Sequence, residues 1–466
     1  MLNLVDRSLR DLVRSLRAGE FRATDLLREA TENLEASESR LGAYKTRTPE
    51  LAEAAANAAD AAFRAGGDLG LLQGIPCSVK DLYGVPGVPI FAGSSLELPA
   101  KWQSAGPVVR TLLDPSAVIV GKTHTVEFAF GAIGLNYRWT PRNPWDAKEH
   151  RTPGGSSQGA GVALCQGSAV ISLGTDTSGS VRIPATVTGN VGYKPTIGRW
   201  SVEGIVPLSP YLDTPGILAR TVDDAWVAAR EVDRGHGRLG PGPLPPSGGV
   251  RDDILRIGIP HELFWDDCDG GIEEGVRAAL AELERKGHRL VRISFPEAVE
   301  AFEIFRAGGT TGAELLAFLT RELPDWIPQL DPNAATRMKA AADISAAEWL
   351  GRKLALDALS RQARRLFKDV DVIATPTAAV TPPLVASIKT WDDYRPLNLK
   401  IARNTSIANL LQLNALTMPV ALDACGMPVG LQIMADHGRD EFLFAAGLAI
   451  EKAIGTGRER IGRPGG

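Results

Sequence analysis

The chain has 466 residues, of which 44% are hydrophobic and 23% are charged, an ordinary balance for a globular protein. Its 51 basic and 55 acidic residues give a net charge of −4, which argues against a nucleic-acid-binding surface, since such a surface needs a basic excess. The four cysteines are too few for a disulfide framework and none has C-x-x-C spacing, so we expect a reducing, cytoplasmic compartment.

The first 65 residues predict three helices. Thr24 is the expected cap of the second helix, and Thr48 followed by Pro49 is expected to open the third. Charged residues run through the N-terminus, so no signal peptide is expected. The longest uncharged stretch, Thr152–Thr175, is too rich in glycine and serine for a membrane helix, and we expect no membrane contact.

Short apolar runs bounded by glycine, proline and aspartate begin after residue 70. Such runs are typical of strands buried on both faces, in a parallel or mixed sheet that helices cover. They are Ile75–Val79, Ala117–Val120 and Ala169–Leu173.

Residues 234–249 contain six glycines and four prolines and predict a loop or linker. Strands and helices alternate on both sides of it, so we expect one α/β domain over residues 1–466. The later elements are predicted as a strand (Leu255–Ile259), a helix (Gly271–Gly287), a strand (Arg289–Ile293), a long helix (Ala346–Lys368), a strand (Val370–Ala374), a hairpin (Thr417–Leu422 with Pro428–Met434) and a final helix (Glu441–Lys452).

Two known catalytic motifs can be set aside. No two of the six histidines are four residues apart, which excludes an H-E-x-x-H metal site. Residues Gly155–Gly159 match the G-x-S-x-G nucleophile elbow with Ser157 at its centre, but that motif needs an apolar strand before it. The preceding residues, Lys148–Pro153, cannot form a buried strand, so Ser157 is expected to be structural.

Three segments between residues 70 and 225 carry the chemistry. Gly74–Asp81 is an apolar strand that leads into Lys80, and burial would favour the neutral, proton-accepting form of that lysine. Pro153–Gly159 is a flexible segment that contains serines. Gly174–Pro184 contains another serine and a turn rich in N–H groups that could bind an oxyanion. Together these are the parts of a nucleophilic hydrolase.

In this order, the three segments resemble the amidase signature family, whose hallmark is a Ser–cis-Ser–Lys triad. The resemblance is strong over about a third of the chain and implies that Lys80 is the catalytic lysine, Ser156 the cis-serine and Ser180 the nucleophile. It also implies a cis peptide between Gly155 and Ser156 and an oxyanion hole formed by N–H groups. The implied donors are Thr177, Ser178, Gly179 and Ser180.

The family fold that this resemblance implies is a single α/β domain with a large mixed, mostly parallel sheet between helices. Residues 1–65 would be N-terminal helices, 70–225 the signature core, 234–249 the loop, and 250–466 a variable region ending in the hairpin and last helix. Two positions depart from the family pattern: Gln158 and Ser178 each replace a glycine.

Further residues are expected to support or line the site. Asp176 and Arg182 flank the nucleophile with opposite charges, and we expect an ion pair that fixes the loop. Phe130 is the expected aromatic lining of the pocket. The apolar segment Phe128–Phe130 suggests a largely apolar, uncharged substrate.

The implied function is hydrolysis of the C–N bond of a carboxylic amide, or of a related aryl amide, ester or carbamate, with no metal or cofactor. The expected partner is a small-molecule amide, and a homodimer remains open. The alternative is the glutamine-hydrolysing component of a tRNA-dependent amidotransferase, its A chain, which releases ammonia from glutamine within a complex. That component usually has glutamine where this chain has Ile183.

Overall fold

The computed structural model describes residues 3–238 and 254–465, and eleven strands in those ranges form one continuous sheet. In chain order the strands are β1 (Tyr44–Arg47), β2 (Pro76–Lys80), β3 (Val118–Thr123), β4 (Ile171–Thr175), β5 (Val191–Lys194), β6 (Pro215–Ala219), β7 (Arg256–Pro260), β8 (Arg289–Ile293), β9 (Val372–Pro376), β10 (Asn414–Leu422) and β11 (Pro428–Ala435).

Fifteen α-helices surround this sheet in the described parts of the chain. They are α1 (Leu9–Arg17), α2 (Ala23–Leu41), α3 (Pro49–Arg64), α4 (Pro107–Leu113), α5 (Gln158–Gln166), α6 (Arg182–Val187), α7 (Val222–Gly235), α8 (Ile272–Arg285), α9 (Pro296–Arg306), α10 (Thr311–Glu322), α11 (Pro332–Ala342), α12 (Ala346–Ala363), α13 (Trp391–Leu410), α14 (Asp440–Ile454) and α15 (Gly457–Ile461). None of these described helices is both long and apolar enough to cross a membrane.

The strand order is β1-β3-β2-β4-β6-β5-β10-β11-β9-β7-β8, which confirms a single α/β domain with a large mixed sheet. The expectation of a mostly parallel sheet is wrong, because six of the ten strand pairings are antiparallel and four are parallel. Every residue of β4, β5, β6, β9 and β11 is buried, so both faces are covered whichever way the strand runs. The apolar runs in the sequence therefore predict that a strand is buried, but they do not predict whether it pairs parallel or antiparallel.

Strands from both sides of the predicted loop at 234–249 belong to this sheet, and β5 pairs directly with β10. The helix α7 continues as far as Gly235, and residues 239–249 of the predicted loop lie outside the described residues. The predicted hairpin is confirmed as the antiparallel pair β10 and β11, with Leu422 opposite Pro428.

The three predicted N-terminal helices are present, but a short strand, β1, lies between the second and third. It is four residues long, sits at the edge of the sheet and pairs only with β3. Thr24 does not cap α2: Arg22 occupies the N-cap, and the Thr24 hydroxyl donates to Asp60 at 2.8 Å. Thr48 is the N-cap of α3, with Pro49 in the first turn as predicted.

Two parallel neighbours in the sheet determine where the site lies. The strands β2 and β4 pair in register, with Val79 beside Leu173. Their carboxyl ends therefore meet at one edge of the sheet, where β2 ends in Lys80 and β4 ends in Thr175. Each strand leads directly into a segment that the sequence marked as chemically active.

Candidate active site

Lys80 lies at the end of a strand in which every residue is buried, and its own side chain is inaccessible to solvent. Its Nζ lies 2.7 Å from Ser156 Oγ and 2.8 Å from Thr175 Oγ1, and the ammonium form donates a hydrogen bond to each. Both partners are hydroxyl groups, so neither neutralises a positive charge on the lysine. The neutral amine could instead accept the Ser156 hydroxyl proton across the same short distance.

Burial lowers the pKa of Lys80 to about 7, because the charged ammonium loses its water, while the negative charges of Asp213 and Asp176 act in the opposite direction. A substantial fraction of Lys80 is therefore neutral near pH 7. A lysine in this state meets the electrostatic requirement for a general base.

Ser156 is completely buried, and the Gly155–Ser156 peptide is cis, as the resemblance implied. Hydrogen bonds hold the backbone on both sides of this peptide: Gly155 N donates to the Ala132 carbonyl at 2.8 Å, and Val126 N donates to the Ser156 carbonyl at 3.0 Å. The segment around Ser156 is thus bound to the neighbouring loop, residues 126–132.

Ser157 lies just before α5 and is also buried. Its N–H donates to the Ser180 carbonyl at 3.3 Å, and its hydroxyl lies 3.5 Å from the Thr175 carbonyl. These contacts connect the two serine segments and fit the structural role expected for Ser157. Gln158, which departs from the family pattern, donates through Nε2 to the Gly134 carbonyl at 2.7 Å.

The turn that carries Ser180 is built around the buried carboxylate of Asp176. This carboxylate accepts hydrogen bonds from the N–H groups of Gly179 and Val181, at 2.8 and 3.2 Å. Arg182 contacts both of its oxygens, at 2.9 and 3.0 Å, and neither side chain is exposed to solvent. The ion pair expected here is therefore present and anchors the turn.

Although burial alone would raise the pKa of Asp176, Arg182 and the other polar partners hold it at about 2. Asp176 is therefore ionised at neutral pH. Arg182 also reaches Gln432 on β11 at 2.5 Å and Asn409 on α13 at 2.6 Å. The turn is thereby connected to the part of the chain that follows residue 254.

Three of the four expected oxyanion donors have free N–H groups. No partner within the described residues binds the N–H of Thr177, Ser178 or Ser180. Gly179 differs, because its N–H is bound to Asp176, so its expected role as an oxyanion donor is not supported. Gly179 instead shapes the turn: its φ is +122°, and a Cβ there would clash with Thr405.

Ser180 itself is 2% exposed, and its hydroxyl has no hydrogen-bond partner among the described residues. Ser178, the second departure from the family pattern, is partly exposed, and its carbonyl accepts a hydrogen bond from the Thr405 hydroxyl at 2.8 Å. This contact ties the backbone of the turn to α13.

Sequence reasoning missed two polar residues of the site. Thr175 contacts Lys80, and Asp213 accepts a hydrogen bond from the Thr177 hydroxyl at 2.6 Å. Asp213 also accepts the N–H groups of Leu208 and Ser209 at 2.8 and 2.9 Å. Thr175 stood inside a segment that the sequence analysis singled out, but nothing in the sequence marked it as a partner of the lysine.

Phe130 lies beside a cavity of about 260 Å³ whose wall includes none of Lys80, Ser156 and Ser180, so its role in lining the substrate pocket stays a prediction. The same cavity contains Arg337, whose guanidinium carbon is 3.5 Å from the centre of the Phe130 ring. The wall of this cavity is therefore charged as well as apolar, and the expectation of a largely apolar, uncharged substrate stays a prediction. Within the described ranges, no group of three or more His, Cys, Asp or Glu residues is placed to hold a metal ion.

Comparisons with known proteins found a matching family model, related sequences and a similar solved structure. A family model described as Amidase matches residues 25–444. The chain is 49% identical over 464 residues to the 2-amino-5-chloromuconic acid deaminase of Comamonas testosteroni, covering 99% of each chain. It is 34% identical to the A chain of the glutamyl-tRNA(Gln) amidotransferase from Anaeromyxobacter dehalogenans, over 96% of each. A crystal structure of an amidase superposes with a TM-score of 0.83 at 28% identity, covering 96% of this chain and 100% of the other.

The Asp176–Arg182 pair predicts a large effect on stability. Replacing Arg182 with methionine leaves a buried carboxylate without its counter-charge, which should lower the free energy of unfolding by about 3–5 kcal/mol. Urea denaturation at pH 7 measures this loss. The matched control is Arg47→Met, which breaks an exposed pair with Glu35 and should cost less than about 1 kcal/mol. An Arg182→Met variant within about 1 kcal/mol of the wild type would contradict the anchoring role.

Proposed function

This chain belongs to the amidase family and is a hydrolase that acts on C–N amide bonds, and from that premise we propose that Ser180 is the nucleophile of an acyl-enzyme mechanism. Its base is Lys80, which acts through Ser156. The observation that carries the proposal is the 2.7 Å contact between Lys80 Nζ and Ser156 Oγ, made by a buried lysine that has only hydroxyl partners. Structural lysines more often pair with carboxylates.

In the acylation step, Ser180 Oγ attacks the amide carbonyl carbon and gives its proton to Ser156 Oγ. The Ser156 hydroxyl proton passes at the same time to the neutral Nζ of Lys80. The tetrahedral intermediate then collapses, the C–N bond breaks, and the proton returns from Lys80 through Ser156 to the leaving nitrogen. Water repeats the sequence on the acyl-enzyme and releases the acid.

The developing oxyanion is stabilised by the free N–H groups of Thr177, Ser178 and Ser180. Fixed donors of this kind need no rearrangement during the reaction, and losing one typically costs about 10²–10³ in rate. Because Asp176 and Arg182 hold the turn, the donors stay aligned throughout the cycle.

The relatives bear on the leaving group and on the alternative function. The name of the Comamonas relative describes removal of an amino group from an acid, which supports ammonia as the leaving group here. The amidotransferase chain shares a lower identity, 34%, and Ile183 replaces the glutamine expected of such a chain. These observations favour an independent hydrolase over the amidotransferase component. Turnover by the isolated chain without glutamine or tRNA separates the two functions.

The first prediction concerns the nucleophile. A serine-reactive fluorophosphonate should label Ser180, and Ser180→Ala should abolish both labelling and turnover. Ser157→Ala is the matched control, since Ser157 is the neighbouring buried serine with a structural role. Peptide mapping by mass spectrometry identifies the labelled residue. A label on Ser157 would contradict the assignment and support the nucleophile elbow.

The second prediction concerns pH. The neutral form of Lys80 is the active one, so kcat/KM for an uncharged amide should rise about tenfold per pH unit below pH 7 and level off above it. The uncharged substrate ensures that the profile reports only groups on the enzyme. A profile that is flat from pH 5.5 to 9, or that falls with rising pH, would show that no base with a pKa near 7 is involved.

The third prediction separates the proton-transfer role of Lys80 from its packing. In Lys80→Met, kcat for an amide should fall by about 10²–10⁴, whereas an activated ester, whose leaving group needs no proton, should lose less. The matched control is Lys194→Met. Lys194 is an equally buried lysine whose pKa burial also lowers to about 7, but its Nζ donates to the Pro195 carbonyl.

In the Lys194→Met control the ratio of amide to ester turnover should stay at the wild-type value. Initial rates on both substrates, with circular dichroism to confirm folding, measure the difference. An amide kcat in Lys80→Met within a few-fold of the wild type would place the base elsewhere.

A further inference from the structure

We propose that the cavity beside Phe130 binds a carboxylate of the substrate and that Arg337 is the residue that binds it. The substrate would then be a small acid that carries a free carboxylate in addition to the C–N bond that is cleaved. This inference rests on the proposed function, since it describes the substrate of the same site.

Arg337 is held in a fixed position at the wall of the cavity. It lies on α11, its Nη1 donates to the Phe130 carbonyl at 2.8 Å, and its guanidinium lies over the Phe130 ring. The Phe130 carbonyl therefore accepts from Nη1, and the Phe130 ring covers one face of the guanidinium. The remaining N–H groups of Arg337 can still donate. A planar guanidinium held in this way is suited to bind a carboxylate through two parallel hydrogen bonds.

The positive charge of Arg337 has no ion-pair partner within the described residues. The negative charge of Asp331 acts on Arg337 without an ion-pair contact, and the Asp331 carboxylate accepts the N–H groups of Asn333 and Ala334 at the start of α11. Burial lowers the pKa of Arg337, because the charged guanidinium loses water, while Tyr394 and Asp331 act in the opposite direction. A cation in this situation is stabilised when an anion enters the cavity.

The rest of the cavity wall also favours an anion. It contains two further arginines, Arg306 and Arg395, and no aspartate or glutamate. Arg306 pairs with Glu303 at the exposed rim, whereas no ion pair is found for Arg395 in the described parts of the chain. Two guanidinium groups without an ion-pair partner in the described residues, on a wall that has no carboxylate, favour a positive potential in the cavity.

The cavity wall is linked to the segments of the proposed triad through one intermediate residue, Ala132, since Lys80, Ser156 and Ser180 do not line the cavity themselves. Asn398 lines it, and its Oδ1 accepts the Ala132 N–H at 2.8 Å. The Ala132 carbonyl in turn accepts the Gly155 N–H, at the peptide that carries Ser156. On the other side, Ile183 from the nucleophile segment packs in the same apolar cluster as Tyr394, another lining residue.

The size of the cavity limits the occupant. Its volume of about 260 Å³ is just below the range of about 300–1,000 Å³ that is usual for drug-sized ligands. Phe130, Phe305 and Trp391 provide apolar surface between the arginines. A short carbon chain that ends in a carboxylate matches both the volume and this mixture of apolar and cationic groups.

The test compares two amides that differ only in the terminal carboxylate: the monoamide of hexanedioic acid, and hexanamide. For the wild type, kcat/KM measured by ammonia release should be at least about tenfold higher for the acid. In Arg337→Met this ratio should fall by about 10- to 100-fold, the usual effect of losing hydrogen bonds to a charged group. Arg337→Lys keeps the positive charge but lacks the two parallel N–H donors of the guanidinium. This variant should lose part of the preference for the amide that carries a carboxylate.

The matched control is Arg321→Met. Arg321 lies on α10, which also lines the cavity, but its side chain is 77% exposed and pairs with Glu322. This variant should keep the wild-type ratio. If Arg337→Met lowers kcat/KM for both amides by the same factor, the inference is overturned. Phosphonate labelling of Ser180 would still support the proposed function in that case.

A binding measurement decides the inference even if neither amide is turned over. Hexanedioate should bind the Ser180→Ala protein in isothermal titration calorimetry. The double variant that carries both Ser180→Ala and Arg337→Met should bind hexanedioate at least about tenfold more weakly. Inorganic phosphate, which cannot fill the apolar part of the cavity, should bind much more weakly. Hexanedioate affinity that is unchanged by Arg337→Met, or that is matched by phosphate, would contradict carboxylate recognition.

Discussion

The chemistry of this site depends on keeping a buried lysine away from a carboxylate partner. Lys80 has lost its water and contacts only the hydroxyl groups of Ser156 and Thr175. Two acids, Asp176 and Asp213, act on the pKa of Lys80 from a greater distance, and the influence of each is limited. Asp176 is paired with Arg182. Burial raises the pKa of Asp213, so the negatively charged form of Asp213 is less favourable. Desolvation therefore prevails, and a proton can leave Lys80 near neutral pH.

The same balance of charges explains how the nucleophile turn stays in place. The carboxylate of Asp176 binds the Gly179 N–H and the Arg182 guanidinium and so fixes the backbone, while the N–H groups of Thr177, Ser178 and Ser180 have no partner in the described residues. Arg182 then ties the turn to α13 and β11. Elements that are far apart in the sequence thus hold a single turn through a buried ion pair.

Local sequence predicted the elements that carry the strongest signals. The strand leading into Lys80, the β10–β11 hairpin and the segments around Ser156 and Ser180 combine apolar runs with glycines that a turn requires. The edge strand β1 has only four residues and no apolar alternation, so nothing marked it. The occupied N–H of Gly179 and the cavity around Arg337 arise from contacts between distant residues, which no motif or periodicity records.

The central claim is that Lys80 is neutral at the pH at which the enzyme works. Titration of its side-chain nitrogen by nitrogen-15 NMR, with the Lys80→Met protein used to assign the resonance, measures this directly. The account predicts a transition near pH 7 for the Nζ resonance. A Lys80 ammonium that stays protonated to pH 9 or above would contradict the account, because such a lysine could not accept the proton from Ser156.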